Sequence, residues 1–466
     1  MKKRVLVCIL VSFLSICTIV GQEIKGEWNG VLNIQGTQLR VVFNIEKTDS
    51  GYMSTLDSPD QGAKGIPVAT TIFEESVLKI KATAIGATYN GKLADGIITG
   101  TFVQRGMSLP LILSRDKVEK QVLKRPQEPK APFPYYSEEV VFKNDKADIT
   151  LAGTLTLPKK EGKFPVVILI TGSGPQDRNE ELMGHKPFLV IADYFTKKGI
   201  AVLRYDDRGF GKSTGNFKTA TSNDFALDVE SAVAYLKTRK EVDKNKIGLV
   251  GHSEGGIIAP MVAAKSKDVD FIVLLAGTGI PGDELLLLQG ELIERVSGRT
   301  EEQIKKSKQL RSKIFEMITK SKDIQVLKKD LHGYLVQFLK ENMDELPKGI
   351  SAEDFTKQQI NQLTSPWMVN FIKHDPAKTL EKVKCAVLAV NGEKDLQVPP
   401  KENLTAIEAS LKKGGNKKVT IIEFPKLNHL FQESETGAPS EYGTLEETFS
   451  EEALIQITSW ILKQVE

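Results

Sequence analysis

Gly251-His252-Ser253-Glu254-Gly255 constrains this chain more than any other segment. It reads G-x-S-x-G, and its flanks suit a sharp strand-to-helix turn. Lys246-Ile247-Gly248-Leu249-Val250 before it is a short apolar run bounded by charge, the mark of a buried parallel strand. Gly255 to Ala264 after it is small and apolar, suited to a helix packed closely on a sheet. Strand, tight turn and helix are the setting in which such a serine is lifted above the sheet edge. Glycine on both sides is expected, because a Cβ there meets the neighbouring backbone.

The chain carries its own control. Gly211-Lys212-Ser213-Thr214-Gly215 matches the same pattern. It follows Asp206-Asp207-Arg208-Gly209-Phe210, not an apolar strand end, and leads into Asn216-Phe217-Lys218. It reads as a loop. A phosphate-loop reading of Gly211-Lys212-Ser213 fails, because position 206, where that motif needs glycine, is aspartate.

A length of 466 residues predicts two or three domains, and 40% hydrophobic with 26% charged residues describes an ordinary globular chain. The formal charge is +3, and Lys2, Lys3 and Arg4 supply three of the positive charges. The remainder is near neutral, which leaves no electrostatic footprint for nucleic acid or an anionic membrane. Met1-Lys2-Lys3-Arg4 followed by the apolar run Val5 to Val20, about 16 residues, reads as a secretory signal ending at Gly21. The run is short for a membrane anchor. Ile16 is bulky for a lipoprotein site at Cys17. A secreted or periplasmic protein without stable membrane insertion is expected. Cys8 and Cys17 lie in that segment, so Cys385, opening the run Ala386 to Val390, is expected as a core thiol without a disulfide partner.

Residues 22–116 hold short β-prone runs such as Leu39 to Ile45, Val77 to Lys81 and Leu109 to Leu113, separated by turn signals. They read as a small antiparallel β-domain. Residues 117–137 read as an extended linker, with Pro126, Pro129, Pro132 and Pro134. From 138 to 466, near-continuous apolar runs alternate with amphipathic stretches. Pro165 to Thr171, Ala201 to Tyr205, Ile247 to Val250, Phe271 to Ala276 and Ala386 to Val390 suit strands covered on both faces. Asp224 to Lys237 places Phe225, Val229, Ala232, Val233 and Leu236 on one helical face. Repeated βα units imply a mostly parallel sheet. The alternation breaks over about 278–378, where charge-rich helical stretches predict an inserted cap.

A serine hydroxyl needs a general base, and the base needs an orienting acid. On this kind of turn the order is Ser, then Asp or Glu, then His. Of five histidines, His185 precedes the serine, His252 adjoins it, and His332 and His374 fall in the cap. His429, in the loop after the strand Val419 to Phe424, remains as the base. Asp395, just past the strand ending at Val390, is the expected acid, with Glu393 the alternative. The expected oxyanion donors are the backbone N–H of Glu254 and one from Gly172-Ser173-Gly174, with Ser173 preferred over Gly174. Trp367 and Met368, at the end of the cap, are candidates for the substrate wall, though such spacing more often marks core.

Five segments occur in order: Gly172-Ser173-Gly174-Pro175-Gln176-Asp177-Arg178, Asp206 to Ser213, Gly251 to Gly256, Asn391 to Asp395, and Asn428-His429. With them, residues from about 138 onward resemble the α/β-hydrolase superfamily, in its serine esterase/peptidase-like branch with an N-terminal β-domain. The resemblance implies an α/β-hydrolase fold: a mostly parallel eight-stranded sheet with a helical cap insertion, preceded here by the small antiparallel β-domain. It also implies hydrolysis of carboxylic esters without cofactor or metal. Thr171 departs from the pattern, since many relatives carry histidine before the oxyanion glycine. The leading expectation is a carboxylesterase using Ser253, His429 and Asp395 on a small-molecule ester. A serine peptidase of aminopeptidase or prolyl-oligopeptidase type is the alternative, and a non-catalytic envelope binding protein is the reading from another class.

Overall fold

The computed structural model describes residues 23–34, 37–104, 107–119, 124–343, 346 and 351–466. Residues 1–21, expected from the sequence to be a secretory signal, lie outside them with Cys8 and Cys17. Two compact units divide the chain, one up to Leu32 together with Leu39–Lys120, the other Asn33–Gln38 with Gln121–Glu466.

The first unit is all β. Its strands are β1 (Gly26–Ile34), β2 (Thr37–Thr48), β3 (Gly51–Ser58), β4 (Ala63–Pro67), β5 (Thr70–Glu74), β6 (Val77–Ala82), β7 (Ala87–Ala94), β8 (Ile97–Gln104) and β9 (Met107–Leu113). They run in the order β1-β2-β3-β5-β6-β7-β8-β9, with β4 paired to β3. Asn29 and Ser114 then exchange two backbone hydrogen bonds of 2.8 and 2.9 Å, so the sheet returns to its first strand. Strict alternation of buried and exposed residues along β7 shows why these runs are strands and not helix. The interior holds Trp28, Phe43, Leu78, Tyr89 and Leu111. The Trp28 indole N–H donates to the Ile24 carbonyl at 2.7 Å, and the Tyr89 hydroxyl reaches the Ile98 and Leu111 carbonyls at 3.1 Å each, so neither buried polar tip is left unsatisfied.

The second unit is built on an eight-stranded sheet ordered β10-β11-β13-β12-β14-β15-β16-β17. These are β10 (Tyr136–Asn144), β11 (Ile149–Leu157), β12 (Phe164–Ile170), β13 (Ala201–Tyr205), β14 (Val242–His252), β15 (Phe271–Leu275), β16 (Ala386–Gly392) and β17 (Val419–Phe424). β11 runs antiparallel to both of its neighbours, β10 and β13, and all other pairings are parallel. Along β12, Val166, Ile168 and Ile170 enter one core, while Val167 and Leu169 enter the other. The first core receives α2 (Ser222–Thr238), α3 (Gly255–Ala263) and α10 (Pro400–Lys413). The second receives α1 (Pro187–Lys197) and α11 (Glu451–Val465). Burial on both faces is why the strands read as unbroken apolar runs. Cys385 packs partly buried against the first core, which pushes its thiol up to about 12.

The cap lies between β15 and β16: α4 (Gly282–Val296), α5 (Glu301–Lys320), α6 (Ile324–Glu341), α7 (Ala352–Leu363), α8 (Pro366–Ile372) and α9 (Ala377–Leu380). Ile314, Phe315, Ile318, Leu327, Leu331, Leu335, Ile360 and Ile372 give it a core of its own. Among the described residues no helix is long and apolar enough to cross a membrane.

The proline-rich stretch is not a free spacer. Arg125 donates to the carbonyls of Leu445 at 2.6 Å and Gly443 at 2.9 Å. Gln127 donates to Phe449 at 2.6 Å and accepts from the Thr448 N–H at 2.6 Å. Two long side chains aimed at main-chain carbonyls fasten this segment within the second unit, which composition alone does not reveal.

Candidate active site

Ser253 stands between β14 and α3 with φ +52°, a left-handed conformation that costs a residue with a side chain about 1–3 kcal/mol. The fold holds it there. The Ser253 N–H donates to the Leu275 carbonyl on β15 at 2.8 Å, and the Gly256 N–H closes the turn on the Ser253 carbonyl at 2.9 Å. A Cβ on Gly251 meets the Gly255 carbonyl oxygen at 2.0 Å, and one on Gly255 meets the Ile170 carbonyl oxygen at 2.2 Å, so both flanking glycines are obligatory. The Ser253 hydroxyl makes no hydrogen bond among the described residues.

Asp395 and His429 are brought together. His429 Nδ1 lies 2.8 Å from Asp395 Oδ2. The other carboxylate oxygen accepts from the N–H groups of Gln397 at 2.8 Å and Val398 at 2.9 Å, which fixes the acid in its turn. Both side chains are buried. Glu393 instead accepts from the Lys426 N–H at 2.9 Å. Asn428 shapes the loop that carries His429: its side-chain oxygen receives the N–H groups of Leu430 and Gln432. The His429 carbonyl is 3.0 Å from His252 Nε2, so the loop is pinned to the residue before Ser253. No hydrogen bond joins Ser253 to His429.

The loop after β12 approaches the same turn. A Cβ on Gly172 meets Ser253 Cβ at 3.3 Å. The Gly172 N–H is committed to Glu180 Oε1 at 2.8 Å. The N–H groups of Ser173, Gly174 and Glu254 have no acceptor among the described residues. The Glu254 side chain turns away and accepts from Ser222 Oγ at 2.6 Å and Trp367 Nε1 at 2.8 Å. Burial raises its carboxyl above the usual range, an effect those two donors reduce. Thr171 donates to Asp207 at 2.8 Å, and Asp207 also accepts from the Gln176 N–H at 2.9 Å. Burial pushes Asp207 up to about 8 despite these donors, and the charges of Glu254 and Glu180 push the same way.

Trp367 and Met368, adjacent on α8, do different things. Trp367 touches the residue after the serine and stacks on Phe371 with ring centroids 5.1 Å apart. Met368 lines an apolar cap cavity of about 290 Å³ with Leu310, Phe315, Leu335 and Leu363. Neither Ser253 nor His429 borders that cavity.

The remaining charged motifs tie loops. Arg178 grips Asp206 with two bonds of 2.9 Å, and Arg208 grips Asp228 with bonds of 2.7 and 2.8 Å. Asp177 does not pair with Arg178. It accepts from the N–H groups of Asn179 and Glu181 and turns the chain there. His185 is held by Thr448, the Tyr442 carbonyl and Gln432. Glu180, Ser222 and His252 are the site partners that the sequence did not assign, and Trp367, expected in a substrate wall, bonds Glu254. The one sequence signal near Glu180 is Asp177, a residue type that favours turns.

The sheet order, the strained serine turn and the acid–histidine pair after the last two strands define an α/β hydrolase. A model of the X-Pro dipeptidyl-peptidase (S15) family matches residues 147–423, more than half of the sequence, and the chain belongs to this family. Esterase EstD of Thermotoga maritima is 28% identical over 303 residues, 64% of this chain and 63% of that protein, so the chain spans less than two thirds of that relative's length. Among solved structures, esterase Pf2001 of Pyrococcus furiosus matches 71% of this chain and 93% of its own at 15% identity and a TM-score of 0.42. Protein PA2218 of Pseudomonas aeruginosa matches 74% and 98% at 16% identity and 0.45.

Proposed function

We propose that this protein is a serine carboxylesterase acting on small acyl esters through an acyl-serine intermediate. The observation that carries the reading is a serine with an unengaged hydroxyl on a strained turn, beside a buried histidine–aspartate pair. In the proposed reaction His429 takes the proton of Ser253 as the hydroxyl attacks the ester carbonyl. Asp395 holds the imidazole through Nδ1, leaving Nε2 toward the reaction. The free N–H groups of Glu254 and Ser173 receive the oxyanion, with Gly174 beside them. His429 then returns the proton to the departing alcohol, and water repeats the sequence on the acyl group.

Family membership supports a second reading, a dipeptidyl-peptidase. Such an enzyme needs an acidic anchor for the peptide's α-amino group. The buried carboxyls around this turn are already engaged: Glu180 by Gly172 and His252, Asp207 by Thr171 and Gln176, Glu254 by Ser222 and Trp367. That favours the ester reading, as does the likeness to an esterase. The basic start and apolar run of residues 1–20 support secretion.

The test is a fluorophosphonate label followed by paired assays on short acyl esters and X-Pro amides. Labelling at Ser253 with ester turnover well above amide turnover is expected. An unlabelled protein sinks the serine mechanism, and the reverse preference selects the peptidase. N-terminal sequencing of protein recovered outside the cytoplasm should begin near Gln22. An intact Met1 there rejects signal cleavage.

A further inference from the structure

We propose that Glu180 and His252 form a buried carboxylate–imidazolium pair that positions the oxyanion loop and the base loop against the serine turn. This rests on the serine-hydrolase reading and assigns two further positioning residues to the same site.

The proton count comes from geometry. His252 Nδ1 lies 2.9 Å from Glu180 Oε1, and Nε2 lies 3.0 Å from the His429 carbonyl oxygen. A carbonyl oxygen only accepts, so Nε2 carries a proton. Glu180 Oε1 already accepts the Gly172 N–H at 2.8 Å, so it serves Nδ1 best as an acceptor too. A neutral imidazole has one N–H and satisfies one of these partners. Both are satisfied when the ring carries two protons and Glu180 none. Burial disfavours the charged ring, yet the charge and hydrogen bond of Glu180, followed by the His429 carbonyl and Asp395, hold its affinity for a proton above the usual value.

The surroundings are built for this arrangement. Glu180 is 4% exposed, and its backbone sits at φ +52°, a strained conformation for glutamate. The turn at Asp177 and the 2.9 Å bond from the Glu180 N–H to the Asp177 carbonyl keep it there. Strain of this kind persists only where neighbours over-determine it, and it gathers at functional sites. The charged and titratable groups around His252 are Glu180 from the loop after β12, Asp395 after β16 and His429 after β17, whose ring centroid is 4.8 Å away. Asp207, after β13, feels the charge of Glu180 as well.

Three contacts therefore meet in one pair. Glu180 orients the peptide before the proposed oxyanion donor Ser173. His252 holds the main chain of the proposed base. The pair itself flanks the serine. Loss of one proton breaks a contact on one side and loosens two catalytic loops together.

The experiment combines Glu180→Gln and Glu180→Asp with nitrogen-15 NMR of the histidine side chains. In the wild-type protein at pH 7, both His252 nitrogens should show the protonated signature. In Glu180→Gln that signature should be lost. Its kcat should fall roughly 10- to 100-fold with KM within about twofold. The alkaline limb of its kcat profile should move down by about 1–3 pH units, as expected for removing an opposite charge. Glu180→Asp, which keeps the charge, should recover most of the alkaline limb. A neutral single tautomer of His252 in the wild type at pH 7 overturns the proposal, and this measurement needs no variant to fold. An unchanged kcat profile in folded Glu180→Gln also overturns it. If Ser253→Ala keeps its hydrolysis, the serine reading fails and takes the positioning role with it. If Ser253→Ala is inactive while Glu180→Gln matches wild type, only the pair is wrong.

Discussion

Two turns in the second unit carry the same five-residue pattern and have opposite characters. At Ser253 the backbone is strained and the hydroxyl is unengaged. At Ser213 the hydroxyl donates to the Asp206 carbonyl at 2.7 Å and accepts from the Ala152 N–H at 2.9 Å, and the side chain is buried. One serine is kept available by a turn that the sheet enforces. The other is spent on fastening a loop to β11. The pattern states only that small residues surround a serine. What precedes it, an apolar strand end or an Asp-Asp-Arg loop, decides whether the hydroxyl is left free to react.

The largest expected contrast comes from removing each hydroxyl in turn. Ser253→Ala should fold normally and lose on the order of 10⁶ in turnover. Combining it with His429→Ala should add little if the two act as one unit, as proposed. Residual activity within tenfold of wild type ends the assignment of Ser253. Next in size, Asp395→Asn should lower kcat by about 10⁴ through the wrong imidazole tautomer, leaving the fold intact. A loss below tenfold points to another acid, and Glu393→Gln is then the variant to measure. Ser213→Ala should do the reverse of Ser253→Ala. Activity per folded molecule should stay near wild type, while the buried Ala152 N–H loses its acceptor at a cost of about 1–3 kcal/mol. Denaturant midpoints and kcat on the same preparation read both effects. A Ser213 variant with native stability and no activity inverts the comparison.

The smallest effect concerns pH. Asp207, raised to about 8, holds a proton in the folded chain that the unfolded chain has released above the ordinary carboxyl range. Stability from this group therefore declines as pH rises from about 4 toward 8. His252 and Glu254, also raised, decline in the same direction. Asp207→Asn keeps the shape and removes one titration, so its loss of stability between pH 6 and 8 should be shallower by up to about 1.4 kcal/mol per pH unit. Identical slopes in variant and wild type contradict a buried neutral Asp207.

Much of the fold is legible because burial on both faces leaves runs such as Val166 to Ile170 with no polar interruption. The cap is legible because it breaks that rhythm. The proposed acid and base, which the fold brings into contact, emerge from chain order and from having only five histidines to choose among. Glu180 does not emerge. Its partners are eight residues back at Gly172 and 72 residues ahead at His252, and only the folded loop unites them. Trp367 and Met368 were separable only by structure, since neighbours on a short helix point to different faces. The grip of Arg125 and Gln127 was hidden because its acceptors are main-chain carbonyls, which every sequence possesses.

The bond from Trp367 to Glu254 has a consequence for how such caps change over evolutionary time. An insertion that sits only on top of a sheet is exchangeable, because the scaffold does not register its loss. This one donates the N–H that helps keep a buried carboxyl satisfied immediately after the proposed nucleophile. A lineage that replaces the cap must supply another donor or change residue 254 in the same step. Cap and serine turn are thus heritable as a unit.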